Sequence, residues 1–233
     1  MSELVIAIDG PSASGKSTVS RRVAQRLKLI HVDSGSFYRG VTWYFLEQGV
    51  KISDAAAVAA ALRKIHIDIA VKESAVKFSI DGLEPDAELR SSAVNSHVSQ
   101  VSALPAVREW VVEQLRKTTS FGGLVMEGRD IGTVVFPRAE FKFYLDAAPE
   151  ERARRRHLEV LQSGSNVCQA IGMAKGVTTY DEILRSILKR DGIDSSRAMA
   201  PLKVAPGAIV IQSTKMSIEE VVEFIVHAVR GKR

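Results

Sequence analysis

The chain reads as an α/β protein: a parallel five-stranded sheet covered by helices on both faces, with a small lobe of antiparallel strands inserted into it. Three observations predict this. Apolar runs that suit buried strands alternate with amphipathic stretches along most of the 233 residues. The first run, Leu4 to Ile8, leads at once into Gly10-Pro11-Ser12-Ala13-Ser14-Gly15-Lys16-Ser17, which fits the pattern G-x-x-x-x-G-K-[ST] of a phosphate-binding loop (P-loop). Residues 65–90 then change texture and alternate apolar and polar with a period of two.

Each element follows in order. Residues 4–9 form the first strand, 10–15 the loop and 16–27 the first helix, where Val19, Val23, Ala24 and Leu27 recur at helical spacing. A second strand, Leu29 to Val32, ends at Asp33-Ser34-Gly35. Ser34 is expected to cap a helix from about Phe37 to Gln48 that stops at Gly49. Asp54 is expected to cap an Ala-rich helix reaching about Arg63. The run "IHIDIAV" (65–71) reads as a half-exposed strand, and "VKFSI" and "LEP" flank Asp81-Gly82, a two-residue hairpin signal. These antiparallel strands are expected to stand outside the parallel core.

Residues 91–118 read as two helices broken at Leu104-Pro105, with Pro105 suited to a first helical turn. Val107, Trp110, Val111 and Leu115 form the buried stripe of the second. Strands return at 123–128 and 141–147. Pro149 opens a helix with Glu150 and Glu151 placed against its dipole. A polar, Gly-containing stretch runs from about Gln162 to Thr178. Thr179-x-x-Glu182 is a capping box, "AIVIQST" (208–214) is the last strand, and Ser217-x-x-Glu220 caps a terminal helix. The whole is one domain with two excursions.

Composition narrows the function classes. An apolar share of 45% and a charged share of 25% are those of an ordinary globular protein. No apolar run is long enough to span a bilayer, and the first strand begins without a basic, cleavable leader, so a cytoplasmic location and no membrane partner are expected. The one cysteine, Cys168, excludes an intrachain disulfide and sits in a polar stretch where no catalytic role is expected. The net charge of +5 is compatible with nucleic acid, but no nucleic-acid module or set of stacking aromatics accompanies it, and small anionic substrates account for an arginine excess equally well.

The loop supplies the first chemistry. Its glycines let several backbone N–H groups turn toward phosphate oxygens, and Lys16 reaches the terminal phosphates as a point charge. The Ser17 hydroxyl suits one position on Mg²⁺, and the start of the helix favours an anion. Arginines supply the second chemistry. Arg39 follows the second strand, Arg129 and Asp130 follow the third, and Arg152, Arg154, Arg155 and Arg156 crowd the helix after the fourth. Arg190, Asp194 and Arg197 recur at spacings of four and three, one face of a helix if Gly192 does not break it. Ligands of open α/β sheets sit beyond the carboxyl ends of the strands, so these charges can converge on the loop. Converging arginine forks suit phosphoryl transfer, where positioning and charge do most of the catalysis. A guanine-reading N-K-x-D segment, which a switch GTPase needs, is missing from the sequence.

The motifs "IDGPSASGKST", "DSGSFYR", "SQVSALPAVRE", "EGRDIGTVVFP", "FYLDA" with "EERARRR", and "KRDGIDSSRAMAPL" resemble, nearly end to end, the bacterial cytidylate kinases within the nucleoside monophosphate kinases. The resemblance implies a core of residues 1–63, 92–149 and 193–233, a monophosphate-binding insert at about 64–91 and a helical lid at about 150–192. It implies ATP as co-substrate with Mg²⁺, and CMP and dCMP as acceptors, in a monomeric enzyme. Gly10 to Thr18 (Pro11, Ser12, Ala13, Ser14, Gly15, Lys16 and Ser17 between them) would hold ATP. Ser34, Tyr38 and Arg39 would line the monophosphate site, Arg129 would hold the CMP phosphate, and Ser99, Arg108 and Asp130 would read cytosine. Asp194 and Arg197 would meet the ribose, with Arg190 completing the site. Lys16 and the lid arginines Arg152, Arg155 and Arg156 would act on the transferring group, and Asp33 or Glu127 would hold waters of the metal. The 162–179 stretch is longer than the usual lid of the family, and shortening it is expected to change turnover more than CMP affinity, as steady-state kinetics would check.

Overall fold

The computed structural model describes residues 4–163, 179–197 and 199–232. Strand β1 (Val5–Asp9) is buried along its whole length. Its side chains alternate, so Val5 and Ala7 enter the core on one face of the sheet while Ile6 and Ile8 enter the core on the other. That two-sided burial is why the run carries no polar alternation. β1 lies between β5 (Leu124–Gly128) and β6 (Phe141–Asp146), parallel to both. β2 (Ile30–Asp33) and β7 (Ile209–Gln212) complete the five parallel strands in the order β2-β5-β1-β6-β7.

Helices cover both faces. α1 (Lys16–Leu27) and α8 (Ile218–Arg230) pack over Ile6, Ile8, Phe143 and Leu145. α2 (Ser34–Glu47), α3 (Ala55–Lys64), α4 (Ser92–Val101) and α5 (Pro105–Lys117) cover the opposite face. Pro105 opens α5 as expected, and Val107, Val111 and Leu115 are buried with Trp110 half-buried beside them. Each fully buried side chain of this size contributes roughly 1.5–3 kcal/mol. α6 (Pro149–Ser163) and α7 (Tyr180–Ser196) form a separate helical pair with its own small core of Ala153, Val160, Ile183 and Ile187. Capping boxes at Thr179 and Ser217 start α7 and α8, and Asp54 caps α3 through Ala56 and Ala57 N–H. Among the described residues, no helix is long and apolar enough to cross a membrane.

Two local expectations need correction. The expected reversal at Asp81-Gly82 is present, but a longer hairpin that the sequence did not show precedes it: β3 (Ile67–Lys72) against β4 (Ala75–Ile80), reversing at Glu73-Ser74, both at positive φ. Neither residue advertises a tight turn, but six register pairs and the burial of Val76, Phe78 and Ile80 in the core outweigh the local strain. Asp81-Gly82 does reverse the chain, into a single bridge between Ile80 and Leu83. The hairpin joins the core sheet, against the expectation that it stands outside: β4 pairs with β2 in parallel at His31 and Ala75, making a sheet of seven strands among the described residues.

The second correction concerns α2. It starts at Ser34, with Asp33 at the cap position and no side-chain cap. The Ser34 hydroxyl instead donates to the Glu127 carbonyl at 2.6 Å, tying the start of α2 to the end of β5. Nearly two turns further on, Gly40 lets the hairpin approach closely. A Cβ there would lie 2.8 and 2.9 Å from the Phe78 ring and 3.1 Å from Ile80 Cδ1. Phe37 and Phe78 pack beside it with rings tilted by 42° and centroids 4.9 Å apart.

Candidate active site

A cleft of about 1440 Å³ opens along the carboxyl ends of the parallel strands. Ser12 to Thr18 line one end of it. Gly10 permits the loop to leave β1 there, because a Cβ at that position would sit 2.1 Å from the Leu145 carbonyl oxygen. Ala13 takes a left-handed φ of 59°, the kind of strain that functional loops hold. α1 begins with no side-chain cap, so its first N–H groups stay available to an anion.

Lys16 is buried, and its Nζ donates to the Pro11 carbonyl at 2.6 Å and to Ser14 Oγ at 3.3 Å. Burial, with Arg129 adding, pushes its ammonium down to about 7 against the pull of Glu127, Asp9 and Asp194. Ser17 Oγ donates to Glu127 Oε2 at 2.9 Å. Burial alone would raise the Glu127 carboxyl, but His31 and Lys16 outweigh it and hold the group below the usual carboxylate range. His31 Nε2 stands 3.5 Å from Glu127 Oε1 and 3.0 Å from Ser20 Oγ. Glu127 Oε1 has no hydrogen-bond partner among the described residues. A hydroxyl beside an ionised, incompletely satisfied carboxylate is a hard-oxygen donor set, and it fits Mg²⁺. Asp33 also lines the cleft but makes no such link to Ser17.

The other end of the cleft gathers the expected arginines. Arg39, Arg129 and Arg190 line it together. Burial, then Arg129 and Arg39, push Arg190 down to about 10, and burial with Arg90 and Arg129 lowers Arg39 despite Asp33. Gly192 does not break α7. Asp194 accepts from Arg129 Nε at 2.9 Å and from Arg197 at 2.5 Å. Burial would raise Asp194, but Arg129 and Arg197 hold it low.

Arg108 and Asp130 form a buried ion pair, and Arg108 also donates to the Ser102 carbonyl. Its guanidinium lies 5.3 Å from the centre of the Tyr38 ring. Burial and then Asp130 push the Tyr38 phenol up, and its oxygen makes no hydrogen bond among the described residues. Ser99 and Ser34 line this same end.

The turn that presents Asp130 is held from the other loop. Asp9, the last residue of β1, accepts from Ile131 N–H at 2.8 Å and Gly132 N–H at 2.7 Å, pinning the single π-helical turn Ile131–Val135. Burial, with the Asp130 charge adding, raises Asp9 to about 6 although the two amides and Lys16 oppose it.

The lid arginines divide. Arg155 and Arg156 line the cleft, with Arg155 held by Glu151 and the Ser213 carbonyl and Arg156 by Glu159. Arg152 does not line it. Arg152 is buried, donating to the Ala147 and Ser12 carbonyls and pairing with Asp191. The expectation that Arg152 meets the transferring group is corrected: at the fourth position of α6 its side chain points under the loop, while the residues three and four positions on, Arg155 and Arg156, line the cleft. The polar stretch and Cys168 lie outside the described residues beyond Ser163.

Sequence reasoning missed Asp9, His31, Arg90 and Asp191. Asp9 directly precedes the loop and Asp191 directly follows Arg190, so position gave a hint for both. Nothing in the sequence marks His31 or Arg90.

A phosphate loop facing a convergent set of arginines across one cleft defines a phosphotransferase that uses a nucleotide. A family model described as cytidylate kinase matches residues 6–231. The cytidylate kinases of Fusobacterium nucleatum subsp. nucleatum and Carboxydothermus hydrogenoformans are 38% and 40% identical to this chain, covering 97% of it and 96% and 97% of themselves. The crystal structure of TT1252 from Thermus thermophilus, 16% identical, covers all of this chain and 98% of its own with a TM-score of 0.51, a likeness of fold alone. The chain belongs to the cytidylate kinase family.

Proposed function

We propose that the protein transfers the γ-phosphoryl group of ATP to CMP, and to dCMP, giving ADP and the diphosphate. One observation carries the acceptor assignment: the buried Arg108–Asp130 pair at the end of the cleft opposite the phosphate loop. It sets a carboxylate acceptor beside a guanidinium donor. Cytosine offers an amino donor beside the acceptors N3 and O2, and uracil reverses that order at positions 3 and 4, so a fixed Asp130 disfavours it.

Ser12 to Thr18 hold the triphosphate, with Lys16 on its terminal phosphates. Arg129, Arg39 and Arg190 take the CMP phosphate, Ser99 joins Arg108 and Asp130 on the base, and Asp194 with Arg197 takes the sugar. A CMP phosphate oxygen attacks the γ-phosphorus in line, with no covalent enzyme intermediate. The second pKa of such a phosphate is about 6, so it arrives ionised and needs no general base. Ser17 and Glu127 would hold Mg²⁺, which when bound neutralises charge on the β- and γ-oxygens. Residues 64–91 act as the monophosphate lobe and 150–192 as a lid whose closure brings Arg155 and Arg156 to the transferring group and excludes water.

The test is transfer from ATP to CMP, UMP and AMP, repeated with Asp130→Ala. CMP should lead by a wide margin, and the margin should collapse in the variant. Equal rates on UMP or AMP in the unaltered enzyme would overturn the assignment.

A further inference from the structure

Three segments meet beneath the phosphate loop. Arg152 comes from the start of α6, Asp191 from the last turns of α7, and Ser12 from the loop. Arg152 Nη1 lies 2.6 Å from Asp191 Oδ2 and donates to the Ser12 carbonyl at 2.9 Å. The Ser12 N–H donates to Asp191 Oδ1 at 3.3 Å, closing the ring. Both backbone groups of one loop residue are therefore held by an ion pair that joins the two ends of the helical pair. The next loop residue, Ala13, packs on the apolar core of that same pair, beside Tyr180 and Leu184. The Arg152 side chain is 4% exposed, and Nε is committed to the Ala147 carbonyl, so the fork is held in place on two sides.

The position of Asp191 gives this ring a reach beyond the loop. Arg190 precedes it directly and Asp194 follows three residues on, on an unbroken helix. Fixing Asp191 on the loop fixes the rotation and height of both acceptor-side residues. We propose that Asp191 is a positioning residue for phosphoryl transfer, acting through Arg152: the pair locks the seating of α7, and with it Arg190 and Asp194, to the conformation of the loop that grips the donor. Arg152 then acts as a structural fork and not on the migrating phosphoryl group. The inference rests on the phosphotransferase reading of this cleft.

A double-mutant cycle on the full chain tests it, using Asp191→Asn, Arg152→Ala and the double variant. Turnover, KM for CMP and the ATP dissociation constant by calorimetry are measured for each. Each single variant should lose about tenfold in turnover with KM for CMP within about twofold, and the double should be no worse than the poorer single. The ATP dissociation constant should rise about threefold or more in each single and no further in the double. Should Arg152→Ala not fold, Arg152→Lys, which keeps the charge but loses the fork, takes its place in the cycle. Losses that multiply in the double overturn the proposal. So does a loss of more than about a hundredfold at Arg152 beside near-normal turnover at Asp191, the mark of direct phosphoryl contact. Failure of the unaltered enzyme to phosphorylate CMP would sink the acceptor assignment alone, and the cycle would still be decided on ATP binding.

Discussion

In the proposed reading, the binding groups at the donor end of the cleft come from one continuous stretch, Gly10 to Thr18, and most of them are backbone amides. At the acceptor end they are side chains brought from α2, α4, α5, the turn after β5, α7 and the residue beyond it. Amides carry partial charge and can wait for an anion cheaply. Guanidinium groups cannot, because each is a full charge near its neighbours. The structure shows the consequence. Arg108 and Arg129 are each tied to a carboxylate, while Arg39 and Arg190 are pushed below the ordinary arginine range. In the proposed reading, the acceptor end holds buried, mutually repelling cations that an entering phosphate would relieve, whereas the donor end sets a single buried lysine, Lys16, among its described residues.

If the donor end works mainly through Lys16 and the loop amides, Lys16→Ala should lower turnover on the order of 10²–10³-fold with little change in CMP affinity. Steady-state kinetics with equilibrium CMP binding would check this, and a loss under about tenfold would erase the contrast between the two ends. At the acceptor end, Asp130→Ala leaves Arg108 buried and unpaired, which should destabilise the fold by about 3–5 kcal/mol in a denaturant titration. A loss near zero would mean that the pair is solvated, and the acceptor end would then resemble a surface.

Asp9 bridges the two ends and sharpens the comparison through pH. Its folded value of about 6 lies above the ordinary 3.8, so its stabilising contribution is present below about pH 4 and is lost as the pH rises through 6. The stability difference between the unaltered protein and Asp9→Asn should therefore shift by about 3 kcal/mol between acid and neutral pH. A difference that does not vary with pH would show that Asp9 is not desolvated. The smallest effect is at Lys16. With its ammonium near 7 and a bound polyphosphate favouring the charged form, ATP binding at about pH 8 should take up a fraction of a proton. Calorimetry in two buffers of different ionisation heat measures that fraction. Finding none would place Lys16 among ordinary lysines.

The same contrast explains what could be read in advance. The donor end was legible because its chemistry is contiguous: strand, loop and helix follow one another, and the spacing of Gly10, Gly15, Lys16 and Ser17 is the signal. The central strands β1 and β5 were legible from the apolar runs that two-sided burial requires. At the acceptor end the residue types could be named, but orientation could not be read from the sequence. Arg152, Arg155 and Arg156 are near neighbours in sequence, yet one helical turn sends the first beneath the loop and the others into the cleft. The reversal at Glu73-Ser74 was hidden because strand pairing and the burial of β4, and not turn chemistry, place it. The clasp through Asp191 depends on a partner 179 residues away in the chain, a distance no local pattern spans.

Gly40 gives these two ends separate handles. The hairpin rests on α2 at a point where even a methyl group does not fit, so a side chain there must lift Phe78 and Ile80 away from the helix that carries Arg39. The phosphate loop lies on the far side of β2 and β5 in the sheet order and would not feel the change. A single carbon atom at this position would act as a shim, retuning how wide the enzyme gapes for its acceptor while its grip on the donor stays as it was.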